Sequence, residues 1–71
     1  MPESPVLSIV VPLLNEEAVL GETCRRLREE LEKIGEPYEI VFVDDGSTDR
    51  SRQILTEESA RDGRVRVVAL S

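Results

Sequence analysis

Two adjacent aspartates directly after an apolar run are the residues of this chain best placed to do chemistry. They open the stretch Asp44-Asp45-Gly46-Ser47-Thr48-Asp49, which follows Tyr38 to Val43. Their carboxylates can accept hydrogen bonds from a base N–H or a ribose hydroxyl, and Gly46 lets the backbone turn tightly beside a ligand. The same residue types also make a good turn and helix cap. Two like charges side by side exceed what a turn needs, which favours ligand binding over a bare cap. A second stretch, Pro12-Leu13-Leu14-Asn15-Glu16-Glu17, closes an earlier apolar run. If the two runs are neighbouring strands, Asn15 and Glu16 reach the same ligand; in isolation the stretch reads as a capped helix start.

Composition removes many other chemistries. The chain has 71 residues, no histidine, one cysteine and a net charge of -6. Without histidine there is no Ser-His-Asp or Cys-His mechanism and no usual zinc site. Cys24 cannot form an internal disulfide, and it lies on an apolar helical stripe, where a thiol acts as a small hydrophobe. The acidic balance gives no general attraction for phosphate backbones or anionic lipid, so no nucleic-acid partner is expected. No apolar run approaches the roughly 20 residues that span a bilayer. Met1-Pro2-Glu3-Ser4-Pro5 lacks the basic start and apolar core of a signal peptide, and a cytoplasmic location is the expectation. Familiar binding motifs also fail on specifics. The first turn has no G-x-G-x-x-G, and no G-K-[ST] occurs. Gly46 is third in its acidic cluster, whereas a calcium loop needs its glycine sixth. A receiver-like phosphoacceptor would need an aspartate after the third strand, which here ends Val68-Ala69-Leu70.

The elements that must position these residues alternate between two periods. Leu7 to Val11 is a short β-branched run of the kind expected in a strand buried on both faces, with Pro12 marking its end. Asn15 then caps a helix with Glu16 and Glu17 in its first turn. Leu20, Cys24, Leu27, Leu31 and Ile34 form its apolar stripe, and Glu22 with Arg26 and Glu29 with Lys33 pair on the outer face. Gly35 and Pro37 stop it. Tyr38 to Val43 is a second strand. Ser47 or Thr48 caps a second helix that runs to about Ala60, anchored by Ile54 and Leu55. Asp62-Gly63 is a turn, and Val65 to Leu70 a third strand. This order predicts an α/β fold: a three-stranded parallel β-α-β-α-β unit in strand order 3-2-1, with both helices on one face. Residues 1–6 are expected to form a flexible tail and residues 7–71 one partial domain. The other face lies bare and the first strand is an open edge, so self-association into a homo-oligomer is expected.

Ser8-Ile9-Val10-Val11-Pro12 with Asn15-Glu16-Glu17, followed by Glu39-Ile40-Val41-Phe42-Val43-Asp44-Asp45-Gly46-Ser47-Thr48-Asp49, resemble the N-terminal part of family-2 inverting glycosyltransferases. The branch most similar is the dolichol-phosphate mannosyltransferase and polyprenyl-phosphate glycosyltransferase group, and the resemblance runs from Leu7 to Ser71. It implies the N-terminal part of a Rossmann-like GT-A fold. The reaction it implies moves a sugar from a nucleotide-diphosphate sugar to a polyprenyl phosphate acceptor, with inversion. By motif position, Pro12, Leu14 and Glu16 would line the nucleoside pocket. Asp45 would accept a hydrogen bond from the base, and Asp44 would shape the loop. Leu14 departs from the family pattern, which commonly places a tyrosine against the base; a leucine covers an apolar ring face without stacking. The family's metal-binding D-x-D and its catalytic base match nothing in this chain and are expected beyond residue 71; Asp44-Asp45 is not that motif. The resemblance thus implies Mg²⁺ or Mn²⁺ in the full-length enzyme and no catalytic or metal-binding residue here. It also implies that the segment is inactive alone, and that the full-length enzyme is membrane-associated on the cytoplasmic face. The competing expectation is a small self-associating α/β module with no catalytic role, its acidic loop serving only as a cap.

Overall fold

A computed structural model describes residues 5–70; Ser71 and most of the expected tail, residues 1–4, lie outside the described residues. Five elements alternate along the chain: β1 (Leu7–Leu13), α1 (Leu20–Ile34), β2 (Tyr38–Asp45), α2 (Ser51–Arg61) and β3 (Val65–Leu70). The strands form one parallel sheet ordered β1-β2-β3, which is the expected 3-2-1 order counted from the other edge. Leu7 pairs with Tyr38 and Leu13 with Asp44; Ile40 pairs with Val65 and Asp45 with Leu70.

Burial alternates along β2. Tyr38, Ile40, Phe42 and Asp44 are buried, while Glu39, Val41 and Val43 are half-buried and Asp45 is exposed. The buried set meets Leu20, Cys24 and Leu31 of α1, Leu55 of α2, and Val65 of β3. The first strand is therefore buried on one face, not on both. Val10 keeps 62% of its surface exposed, because two crossovers of the same hand leave nothing over the opposite side. β1 also runs through Pro12 instead of ending there. The Leu7 N–H donates to the Pro37 carbonyl, so positions 9, 11 and 13 face β2 and the proline nitrogen falls on the open edge, where no ladder bond is lost. Val6, assigned to the tail from sequence, donates its N–H to the same carbonyl at 2.9 Å.

The helices differ from expectation at their starts. α1 begins at Leu20 after an uncapped Val19, not at Asn15. Its stripe ends at Leu31, and Ile34 is exposed. Glu22 pairs with Arg26 as expected, whereas Glu29 takes Arg25 and Lys33 takes Glu30. The helix stops at Gly35, whose φ of +79° suits a residue without Cβ and whose N–H donates to the Leu31 carbonyl. α2 begins at Ser51, so neither Ser47 nor Thr48 caps it; the Asp49 carboxylate accepts from the Ser51 N–H at 2.8 Å instead. The two helices are joined by Arg28, which donates to the buried Glu58 carboxylate at 2.6 and 3.0 Å. Among the described residues no helix is long and apolar enough to cross a membrane.

Candidate functional site

Because β1 and β2 are parallel neighbours, the stretches after them emerge side by side at the carboxyl end of the sheet, where open α/β sheets bind ligands. The two stretches are stitched together. The Asn15, Glu16 and Glu17 N–H groups donate to Ser47 Oγ (2.9 Å), Ser51 Oγ (2.8 Å) and Asp49 Oδ2 (3.2 Å). In return, Thr48 and Asp49 N–H donate to Asn15 Oδ1 at 2.8 and 3.3 Å, and Arg50 N–H donates to Glu17 Oε1 at 3.3 Å. Amides that a local cap would satisfy within one loop are satisfied here across two.

The paired aspartates part company. Asp44 has no exposed surface; its Oδ1 accepts from the Ser47 N–H at 2.9 Å and its Oδ2 from Arg52 Nε at 3.1 Å. Arg52 also reaches the Leu70 carbonyl at 3.5 Å, tying the ends of β2 and β3. Burial pushes the Asp44 carboxyl up, but hydrogen bonds from Ser47 and the Arg52 guanidinium outweigh it and hold the group below the usual carboxylate range. The Asp49 carboxyl is likewise lowered, its desolvation outweighed by hydrogen bonds from Ser51 and the Glu17 amide. Asp45 alternates to the other side of the sheet, is exposed, and makes no side-chain hydrogen bond or ion pair among the described residues.

Pro12 and Glu16 line a cavity of about 200 Å³ with Leu13, Val19, Leu20 and Phe42 among its walls. Leu13 and Phe42, core residues, form its inner wall. Leu14 is outside that wall and 52% exposed. Thus the structure gathers the residues expected at the site to one end of the sheet, yet divides them. Pro12 and Glu16 line the recess, Leu14 and Asp45 are on the surface, and Asp44 is inside. Sequence reasoning missed Ser47, Asp49 and Ser51 as partners of the first loop. Their signal exists only once the two strands are placed side by side.

Among the described residues no group of three or more His, Cys, Asp or Glu is placed to hold a metal ion, and both Asp44 oxygens are already committed. The residues present do not fit a divalent cation, and no chemical step here runs through one.

The family model for glycosyl transferase family 2 matches residues 8–71. The chain is 52% identical over 64 residues to the uncharacterized glycosyltransferase YkcC of Bacillus subtilis, covering 90% of this chain and 20% of that protein. It is 47% identical over 58 residues to the undecaprenyl-phosphate 4-deoxy-4-formamido-L-arabinose transferase of Pseudomonas paraeruginosa, covering 82% of this chain and 17% of that protein. The transferase of the same name in Edwardsiella ictaluri is 47% identical over 64 residues, 90% of this chain and 19% of its own length. The chain spans about a fifth of the length of these curated relatives. With the family match covering all but its first seven residues, this chain belongs to glycosyl transferase family 2.

Proposed function

We propose that the chain is the nucleoside-recognition part of an enzyme that takes a sugar from a nucleotide-diphosphate donor and passes it, with inversion, to a polyprenyl phosphate carrier. The observation that carries this reading is the pairing of Pro12–Glu17 with Asp44–Asp49 at the carboxyl end of the sheet, with Asp44 spent on structure and the Asp45 carboxylate left facing solvent. Asp45 accepts from a base N–H, Leu14 covers an apolar ring face, and Pro12 and Glu16 bound the nucleoside from the first loop. Relatives named as undecaprenyl-phosphate sugar transferases support the carrier class. In the intact enzyme, Mg²⁺ or Mn²⁺ supplies charge stabilisation at the diphosphate. On this reading the segment alone is inactive. The whole protein works at the cytoplasmic face of a membrane.

A hydrogen bond to a charged group is worth about 1.5–3 kcal/mol net, so recognition by this part alone is weak. Saturation-transfer NMR with UDP and GDP tests it: transfer to the base protons is expected from the wild type and absent from Asp45→Asn. Transfer equal in both would remove Asp45 from the site.

A second reading rests on the uncovered sheet face, where Val10, Val68 and Leu70 keep 62%, 44% and 45% of their surface exposed. On it, the chain self-associates through that face or the β1 edge as an α/β interaction module without a catalytic role.

A further inference from the structure

Asn15 is the one non-glycine residue with a positive φ among the described residues, at +52°. Asparagine tolerates this left-handed conformation better than most residues, but tolerance alone does not call for it. Its exposed side chain adds nothing to the core. Its polar groups instead bind the second loop at three points: N–H to Ser47 Oγ, and Oδ1 from the Thr48 and Asp49 amides. On either side of it in sequence stand Leu14 and Glu16, and the amides it holds follow closely after Asp45. The Asn15 carboxamide oxygen thus ties two successive amides of the second loop to the first, beside the bonds made by Glu16 and Glu17.

We infer that Asn15 is a positioning residue that fixes the second loop, and with it Asp45, relative to Leu14 and Glu16; this rests on the nucleoside-binding reading above. The residue type follows from three demands made together. Glycine adopts the backbone but offers no acceptor. Aspartate offers the acceptor but adds a negative charge to a rim that already carries Glu16, Glu17, Asp45 and Asp49, where a diphosphate must approach. Asparagine alone is left-handed, accepting and neutral.

The test is an amide NMR titration of the 71-residue chain with uridine and guanosine, which are neutral, so added charge does not confuse the comparison. Asn15→Gly keeps the backbone conformation and removes the acceptor; Asn15→Asp restores the acceptor. Loss of the bond is expected to weaken nucleoside binding about tenfold in Asn15→Gly, with faster Thr48 and Asp49 amide exchange, and Asn15→Asp is expected to stay within about threefold of wild type. The milder Ser47→Ala, which removes the partner of the Asn15 N–H and leaves the carboxamide oxygen in place, is expected to weaken binding about threefold, so the result does not hang on one variant folding. A merely structural role would shift the melting temperature and leave affinity alone. Wild-type affinity in the folded variants would overturn the positioning role and leave the nucleoside site standing. Failure of Asn15→Asp to rescue would overturn the role of the acceptor. A wild-type chain that responds to neither nucleoside would remove the site reading, and this inference with it.

Discussion

At Asp44 the carboxylate is buried with both oxygens bonded, and at Asp45, one residue on, it faces solvent. Their substitutions should therefore separate stability from binding. Asp44→Ala strands the Ser47 amide and the Arg52 guanidinium and is expected to cost about 1–3 kcal/mol, whereas Asp45→Asn is expected to change stability by less than about 0.5 kcal/mol; urea unfolding followed by circular dichroism measures both. The lowered Asp44 pKa also fixes the sign of a pH effect. The unfolded chain takes up the proton first, so this stabilisation is present above the unfolded pKa and is lost as pH falls through the folded one. Acid unfolding of Asp44→Asn should lack that part of the slope. That two acids mark a special place was legible in the residue types, whereas Asp44 as the loop-shaping one of the pair came only from the family resemblance. The period of two was enough to tell, since Ile40 and Phe42 put Asp44 on the core face.

Element boundaries follow the same logic of local against distant partners. The end of α1 was legible because Gly35 and the last turn are adjacent in the chain. Its start was misplaced because the Asn15 carboxamide bonds amides 33 and 34 residues away, which no local cap rule detects. Two glycine substitutions test the helix in opposite directions. Gly21 lies in the first turn of α1 with no atom within 4 Å of an added Cβ, so Gly21→Ala is expected to stabilise by up to about 1 kcal/mol. Gly35 holds φ +79°, and Gly35→Ala is expected to cost about 1–2 kcal/mol despite equally open space. Thermal unfolding of the pair checks both signs.

At the scale of the molecule, alternation of strands and helices was sufficient for the parallel sheet and its order, because right-handed crossovers leave few alternatives. The continuous apolar composition of the first strand suggested burial on both faces, and the structure covers one. The uncovered face sets Val10 beside Val41, and Pro12 beside Val43 and Val68, as an apolar strip next to an open edge. The second reading, self-association, would rest on this strip. Val10→Lys, which charges both face and edge, is expected to shift sedimentation equilibrium toward monomer; a wild type that stays monomeric at high concentration would contradict self-association.

On the proposed function, the two loops at the carboxyl end of the sheet form one nucleoside site. An amide NMR titration of this chain with UDP and with GDP, against Asp45→Asn, tests it most directly. Shifts clustered at residues 12–16 and 44–48 that vanish in the variant are expected, with the stronger response naming the base. A flat titration of a folded wild-type chain would contradict it.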